Sequence, residues 1–122
     1  MLNKMSDYNF YRVYQTVNKI LYNRGYKKPL NHDISFEDFC KLDRDSLTIK
    51  TESRTDYKIQ RGSIYVFFPN DTKVGVKPIR EYKTKMQEDK IKKAIVVVKD
   101  GVTPFAKNEI VAGSRINVEN PT

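Results

Sequence analysis

The strongest chemical signal in this 122-residue chain is an uneven distribution of cations. Residues 72–93 hold 8 Lys and Arg against 3 Asp and Glu, an excess of +5, whereas residues 1–71 hold 12 against 9 and residues 94–122 hold 3 against 3. One short segment therefore carries most of the formal net charge of +8. A duplex presents about one negative charge per 1.7 Å, and cations beside it gain affinity by releasing counterions without reading bases. Lys73, Lys77, Arg80 and Lys83 are the candidate phosphate contacts. The same side chains could instead solvate a helix, supported by Glu81–Lys85 and Lys85–Asp89 pairs at i, i+4, each worth about 0.2–0.5 kcal/mol. Thr103–Pro104 offers another kind of contact. An N-cap followed by Pro at the first helical position opens a helix whose free N–H groups and roughly half a positive charge face any anion ahead, although the pair serves equally well simply to start that helix.

Other chemistries have less material. Cys40 and His32 are the only Cys and His, so neither an internal disulfide nor a Cys/His zinc site can form, and a Cys40–His32 nucleophile pair lacks a third, orienting group. Asp56 with Asp71–Thr72–Lys73 mimics the Asp and [Asp/Glu]-x-Lys of Mg²⁺-dependent nucleases, in which carboxylates hold the metal and Lys steadies the attacking water. Yet Asp71 falls in an expected turn, Asp56 in a polar connection and Glu81–Tyr82–Lys83 on a helix, whereas catalytic carboxylates need rigid supports. The expectation is no catalytic residue, no metal and no cofactor. No apolar run approaches the roughly 20 residues of a membrane span, and no secretory h-region follows Lys4, so an intracellular, reducing setting without a membrane partner is expected.

These residues must be positioned by a fold. Phe10, Val13, Tyr14, Val17, Ile20 and Leu21 recur at helical spacing and predict a helix over 6–24, capped by Ser6 and ended at Gly25. Ser35 and Asp38 form a capping-box variant before Phe36, Phe39 and Leu42, so a second helix begins there. Residues 47–52 alternate as a half-buried strand, with Leu47, Ile49 and Thr51 on one face. Ile64–Phe68 and Ala94–Val98 are apolar throughout and read as strands buried on both faces. Pro69–Asn70–Asp71 predicts a turn into a short strand over 73–77, making a hairpin, and Pro78 should be the first residue of a helix running to about Lys90. Thr103 and Pro104 open a last helix to about Val111, and residues after Gly113 give little signal. The predicted class is α/β, a three-layer sandwich with a mixed, about four-stranded sheet covered by helices.

The elements carrying Asn23–Arg24–Gly25–Tyr26, Val74–Gly75–Val76–Lys77, Met86–Gln87–Glu88 and Val102–Thr103–Pro104, in that order, closely resemble the N-terminal domain of the fifth subunit shared by RNA polymerases I, II and III. The likeness covers roughly residues 8–110. It implies a non-catalytic lower-jaw domain, similar in fold to restriction endonucleases, that packs on the largest subunit and touches downstream duplex DNA without sequence choice. The turn before Lys73 and the loop at Val102–Thr103–Pro104 would face that DNA. A separate reading, compatible with the jaw, is a protein-interaction adaptor whose exposed faces bind general transcription factors rather than DNA. Residues 1–112 would form the jaw and 113–122 a tail. The family's next strand and C-terminal assembly module are expected to be absent, which makes the chain either truncated or a naturally short homologue. Its Lys-, Asn-, Ile- and Tyr-rich composition suits an AT-rich genome and leaves a nucleus, a viral factory or a virion as settings.

Overall fold

The computed structural model describes residues 6–29, 31–44, 47–56, 62–69, 73–111 and 115–120. The chain runs α1 (Asp7–Asn23), α2 (Phe36–Phe39), β1 (Thr48–Glu52), β2 (Ser63–Phe67), α3 (Val76–Glu88), β3 (Lys93–Val97), α4 (Pro104–Val111) and β4 (Arg115–Glu119). The four strands form one sheet in sequence order. β1 pairs antiparallel with β2, while β2–β3 and β3–β4 are parallel, so the sheet is mixed.

Alternation along the two central strands creates two cores. Ile64, Val66 and Phe68 join Ile95 and Val97 on the face covered by α1 through Phe10, Val13, Tyr14, Val17 and Leu21. Tyr65, Phe67, Ala94, Val96 and Val98 face the other way, against Ile79 and Met86 of α3 and Ala106 of α4. Helices thus cover both faces of a sheet whose central strands are apolar on both sides, as parallel strands joined by helical crossovers require. No helix among the described residues is long and apolar enough to cross a membrane.

Local sequence explains the helix ends. Ser6 and Ser35 accept hydrogen bonds from Asn9 and Asp38 N–H at the starts of α1 and α2. Helix α1 stops at Gly25, whose φ of 97° is the left-handed conformation glycine tolerates. Gly25 and Tyr26 N–H donate back to Tyr22 and Leu21 carbonyls at 3.1 and 3.0 Å, and the buried Tyr26 seals against Leu21. Helix α3 ends in the same pattern with a non-glycine. Lys90 has φ 58°, and the N–H groups of Lys90 and Ile91 donate to Gln87 and Met86 carbonyls at 3.2 and 2.9 Å.

Three expectations are corrected. No strand or hairpin occupies 73–77: Lys73 lies in a bend, Val74 makes an isolated parallel bridge to Val102, and helix α3 begins at Val76. Both edges of β2 are already taken, by β1 and by β3, so a returning hairpin strand has no place to pair. Pro78 is consequently the third helical residue, still among the first four N–H positions that lack an intrahelical acceptor. Finally, the tail after Gly113, whose residues carry little signal and predict no strand, contains β4, which supplies the fourth strand and pairs with β3 from Lys93↔Arg115 to Val97↔Glu119. The two N–H···O bonds between Arg24 and Glu119, at 2.8 and 3.0 Å, tie its end to that of α1.

Candidate nucleic-acid interface

Helices α3 and α4 both start beyond the carboxyl ends of parallel strands, β2 and β3, where open α/β sheets commonly place ligands. The Val74–Val102 bridge holds the two entry loops together, with Val74 N–H donating to Gly101 O at 3.0 Å and Thr103 N–H to Val74 O at 2.9 Å. Gly101, with φ 97°, supplies the backbone turn. Buried Val74 and Val102 anchor this junction in the core beneath α3 and α4. Two helix N-termini are therefore set side by side, and their partial positive ends add.

The ends differ in finish. Gly75 caps α3 without a side-chain hydrogen bond, whereas Thr103 Oγ1 accepts from Ala106 N–H at 3.2 Å and so caps α4. Lys73 stands exposed just before the bridge, and Lys77 stands exposed in the first turn of α3. Pro104 is exposed at the first position of α4.

Arg80 and Lys83 lie farther along α3 and are engaged with α4. Arg80 Nε sits 3.5 Å from Glu109 Oε1 with most of its side chain still exposed. Lys83 is largely enclosed: its Nζ donates to the Glu109 carbonyl at 2.8 Å and lies 3.6 Å from the Glu109 carboxylate. The structure thus groups Lys73, Lys77, Thr103 and Pro104 at the paired helix starts, keeps Arg80 on the flank and gives Lys83 a helix-to-helix bond. Lys85 and Asp89 do form their i, i+4 pair, at 3.7 Å.

Sequence reasoning missed Phe105, the second residue of α4, which is 78% exposed beside Pro104. The signal was the helical spacing: Ala106 and Ile110 pack inward at i, i+4, which turns residue 105 off that stripe.

The residues of the nuclease-like spacing are placed as follows. Asp71 and Thr72 lie outside the described residues. Asp56 is exposed and 3.6 Å from Arg54 Nε, and Glu81 is exposed on α3. No group of three or more His, Cys, Asp or Glu among the described residues could hold a metal ion. Cys40 is exposed, and His32 Nδ1 donates to the Pro29 carbonyl at 3.0 Å.

Comparison with known proteins decides the family. Residues 4–86 match the family model described as RNA polymerase Rpb5, N-terminal domain. The chain belongs to the Rpb5 N-terminal domain family. Similar proteins include the DNA-directed RNA polymerases I, II, and III subunit RPABC1 of Caenorhabditis briggsae, 34% identical over a 116-residue alignment that covers 88% of this chain and 55% of the relative. The subunit of the same name in Dictyostelium discoideum is 40% identical over 72 residues, 57% of this chain and 34% of that protein. The chain thus spans about half the length of the nematode relative. The α3 and α4 entry loops, with Val74–Gly75–Val76–Lys77 inside the matched segment and Val102–Thr103–Pro104 beyond it, meet at the bridge.

Proposed function

We propose that this Rpb5-type domain is a non-catalytic part of a nuclear DNA-directed RNA polymerase, resting on the largest subunit and touching downstream duplex DNA in the lower jaw. The observation carrying this reading is the pair of adjacent helix N-termini flanked by exposed Lys73 and Lys77. Such a surface suits phosphates: N–H groups, helix dipoles and mobile cations add favourably, and none of them distinguishes one base from another. Phe105 adds an apolar ring at the same rim, suited to the sugar edge of a groove. The sheet with helices on both faces is read here as a restriction-endonuclease-like scaffold used for docking rather than cleavage, since fold alone confers no activity.

Duplex binding by the isolated domain should be weak, with dissociation constants on the order of 10⁻⁴–10⁻⁶ M at physiological salt and no preferred sequence. Replacing Lys73 and Lys77 together by Ala should make the slope of log affinity against log salt shallower by up to about two units, because each phosphate contact contributes nearly one. Lys83→Ala should lower the melting temperature, through loss of its bond to Glu109, with little change in that slope. An unchanged slope in the double variant would mean that these lysines only solvate the surface. Binding that is flat in salt would favour a transcription-factor adaptor. Mg²⁺-dependent nicking abolished by Asp71→Ala would instead establish a nuclease, and no nicking is expected.

A further inference from the structure

A second surface lies on α1, across the sheet from α3 and α4. There, a cleft of about 400 Å³ opens between the outer C-terminal half of α1 and the segment that follows it. Asn18 lines it and is itself 6% exposed. Its Oδ1 and Nδ2 are both buried without a hydrogen-bond partner. Tyr14, one turn earlier, feels this amide: burial pushes its phenol up and the Asn18 side chain pulls it partly back, yet neither amide atom of Asn18 has a partner in hydrogen-bond geometry. An apolar residue here would extend the core stripe of Val13, Val17 and Leu21, whereas a buried amide lacking partners is destabilising unless something else satisfies it.

The surroundings define what could do so. Gln15 and Asn23 add two more amides, Lys19 and Lys28 add cations, and none of the lining residues is a carboxylate. A primary amide offers one donor and one acceptor side by side. In an extended chain, the N–H and C=O of a single residue point the same way and match that pair, as they do across an antiparallel ladder. An adenine edge also offers a matching pair, but a base in such a site needs an aromatic face to stack on. Of the two rings lining the cleft, Tyr22 already carries Arg54 Cζ at 4.0 Å and Lys28 Nζ at 5.1 Å from its centroid, and the His32 imidazole is held by its Nδ1 bond to the Pro29 carbonyl at 3.0 Å.

We infer that this cleft docks an extended, acidic peptide segment of another protein, with the Asn18 amide pairing to the N–H and C=O of one backbone residue and Lys19 and Lys28 meeting flanking carboxylates. The site shares no residue with the DNA surface, so the two stand or fall separately. The test is an NMR titration of the ¹⁵N-labelled 122-residue chain with the capped peptide acetyl-Asp-Ala-Asp-Ala-Asp-amide. The same peptide with Ser for Asp, and adenosine monophosphate, serve as controls. The acidic peptide should move the Asn18 side-chain NH₂ signals and the Lys19 and Tyr22 amides. Asn18→Leu should weaken binding by about tenfold or more, as loss of a hydrogen-bond pair implies. If that variant fails to fold, the surface double variant Lys19→Glu/Lys28→Glu decides, and it should weaken binding at least as much. The inference is overturned if Asn18 NH₂ signals stay in place, if the Ser peptide binds equally, if adenosine monophosphate moves these signals more than the peptide does, or if the variants that fold bind normally.

Discussion

Tyr65 shows how one residue links the core to the surface. Its ring is buried and stacked near Phe67, 5.2 Å between centroids, while its hydroxyl donates to the Asp89 carboxylate at the end of α3. Burial, reinforced by that bond, pushes the Tyr65 phenol up to about 12. The same bond holds the Asp89 carboxyl below its usual range, with Lys85 and Lys50 assisting. The two groups protect opposite ends of the pH scale. The depressed carboxyl stabilises the fold above its unfolded value of about 4 and loses that contribution as pH falls through its folded value. The raised phenol stabilises below about pH 10 and loses its contribution as pH climbs toward 12. Tyr65→Phe should therefore melt lower than the parent near pH 7, with the difference shrinking below about pH 4 and above about pH 10. A melting difference that stays constant from acid to alkali would show the bond to be unimportant. Residue identity was legible where one side chain meets one local rule, as at Ser6, Ser35 and Thr103. It was not legible at Lys83 or Asn18, because the same lysine or amide points to solvent or into the fold depending on a helix that sequence spacing does not place.

At the scale of elements, local chemistry set the helices and long-range pairing set the strands. The spacing of Phe10, Val13, Val17 and Leu21 gave α1 to within a residue or two, since a helix end is decided by groups within one turn. The strand expected over 73–77 followed from the same local logic and failed, because Val74 is positioned by Val102, a residue in another loop. Strand β4 was missed although Ile116 and Val118 alternate with Arg115, Asn117 and Glu119. Two apolar residues are a weak signal at a sheet edge, where only Ile116 is buried. The end of α3 offers the clearest test at this scale. Lys90 sits where Gly25 sits after α1, and a left-handed conformation costs an L-residue about 1–2 kcal/mol. Lys90→Gly relieves that cost but gives up about 0.4–1 kcal/mol of unfolded-state restriction. The variant should be more stable by about 0.5–1 kcal/mol in denaturant titration, and a less stable variant would mean that the Lys90 side chain holds the helix end itself.

For the molecule as a whole, topology divides the cation excess of residues 72–93: Lys73 and Lys77 fall at the start of α3, whereas Lys90, Lys92 and Lys93 lie beyond its other end. The β2–α3–β3–α4–β4 succession puts two helix starts at one end of the parallel part of the sheet, and Lys73, Lys77, Thr103, Pro104 and Phe105 gather there. The unpartnered Asn18 lies on the opposite face, on α1. In the proposed reading, DNA meets the paired helix starts and an acidic peptide the α1 cleft, so the two partners occupy separate surfaces of this Rpb5-family domain. Placing photoreactive p-benzoylphenylalanine at position 105, and separately at position 22, in a polymerase transcribing from a labelled template tests this directly. Adducts to downstream duplex DNA are expected from position 105 and none from position 22; protein-only adducts from position 105, or DNA adducts from position 22, would contradict the assignment of DNA to the paired helix starts.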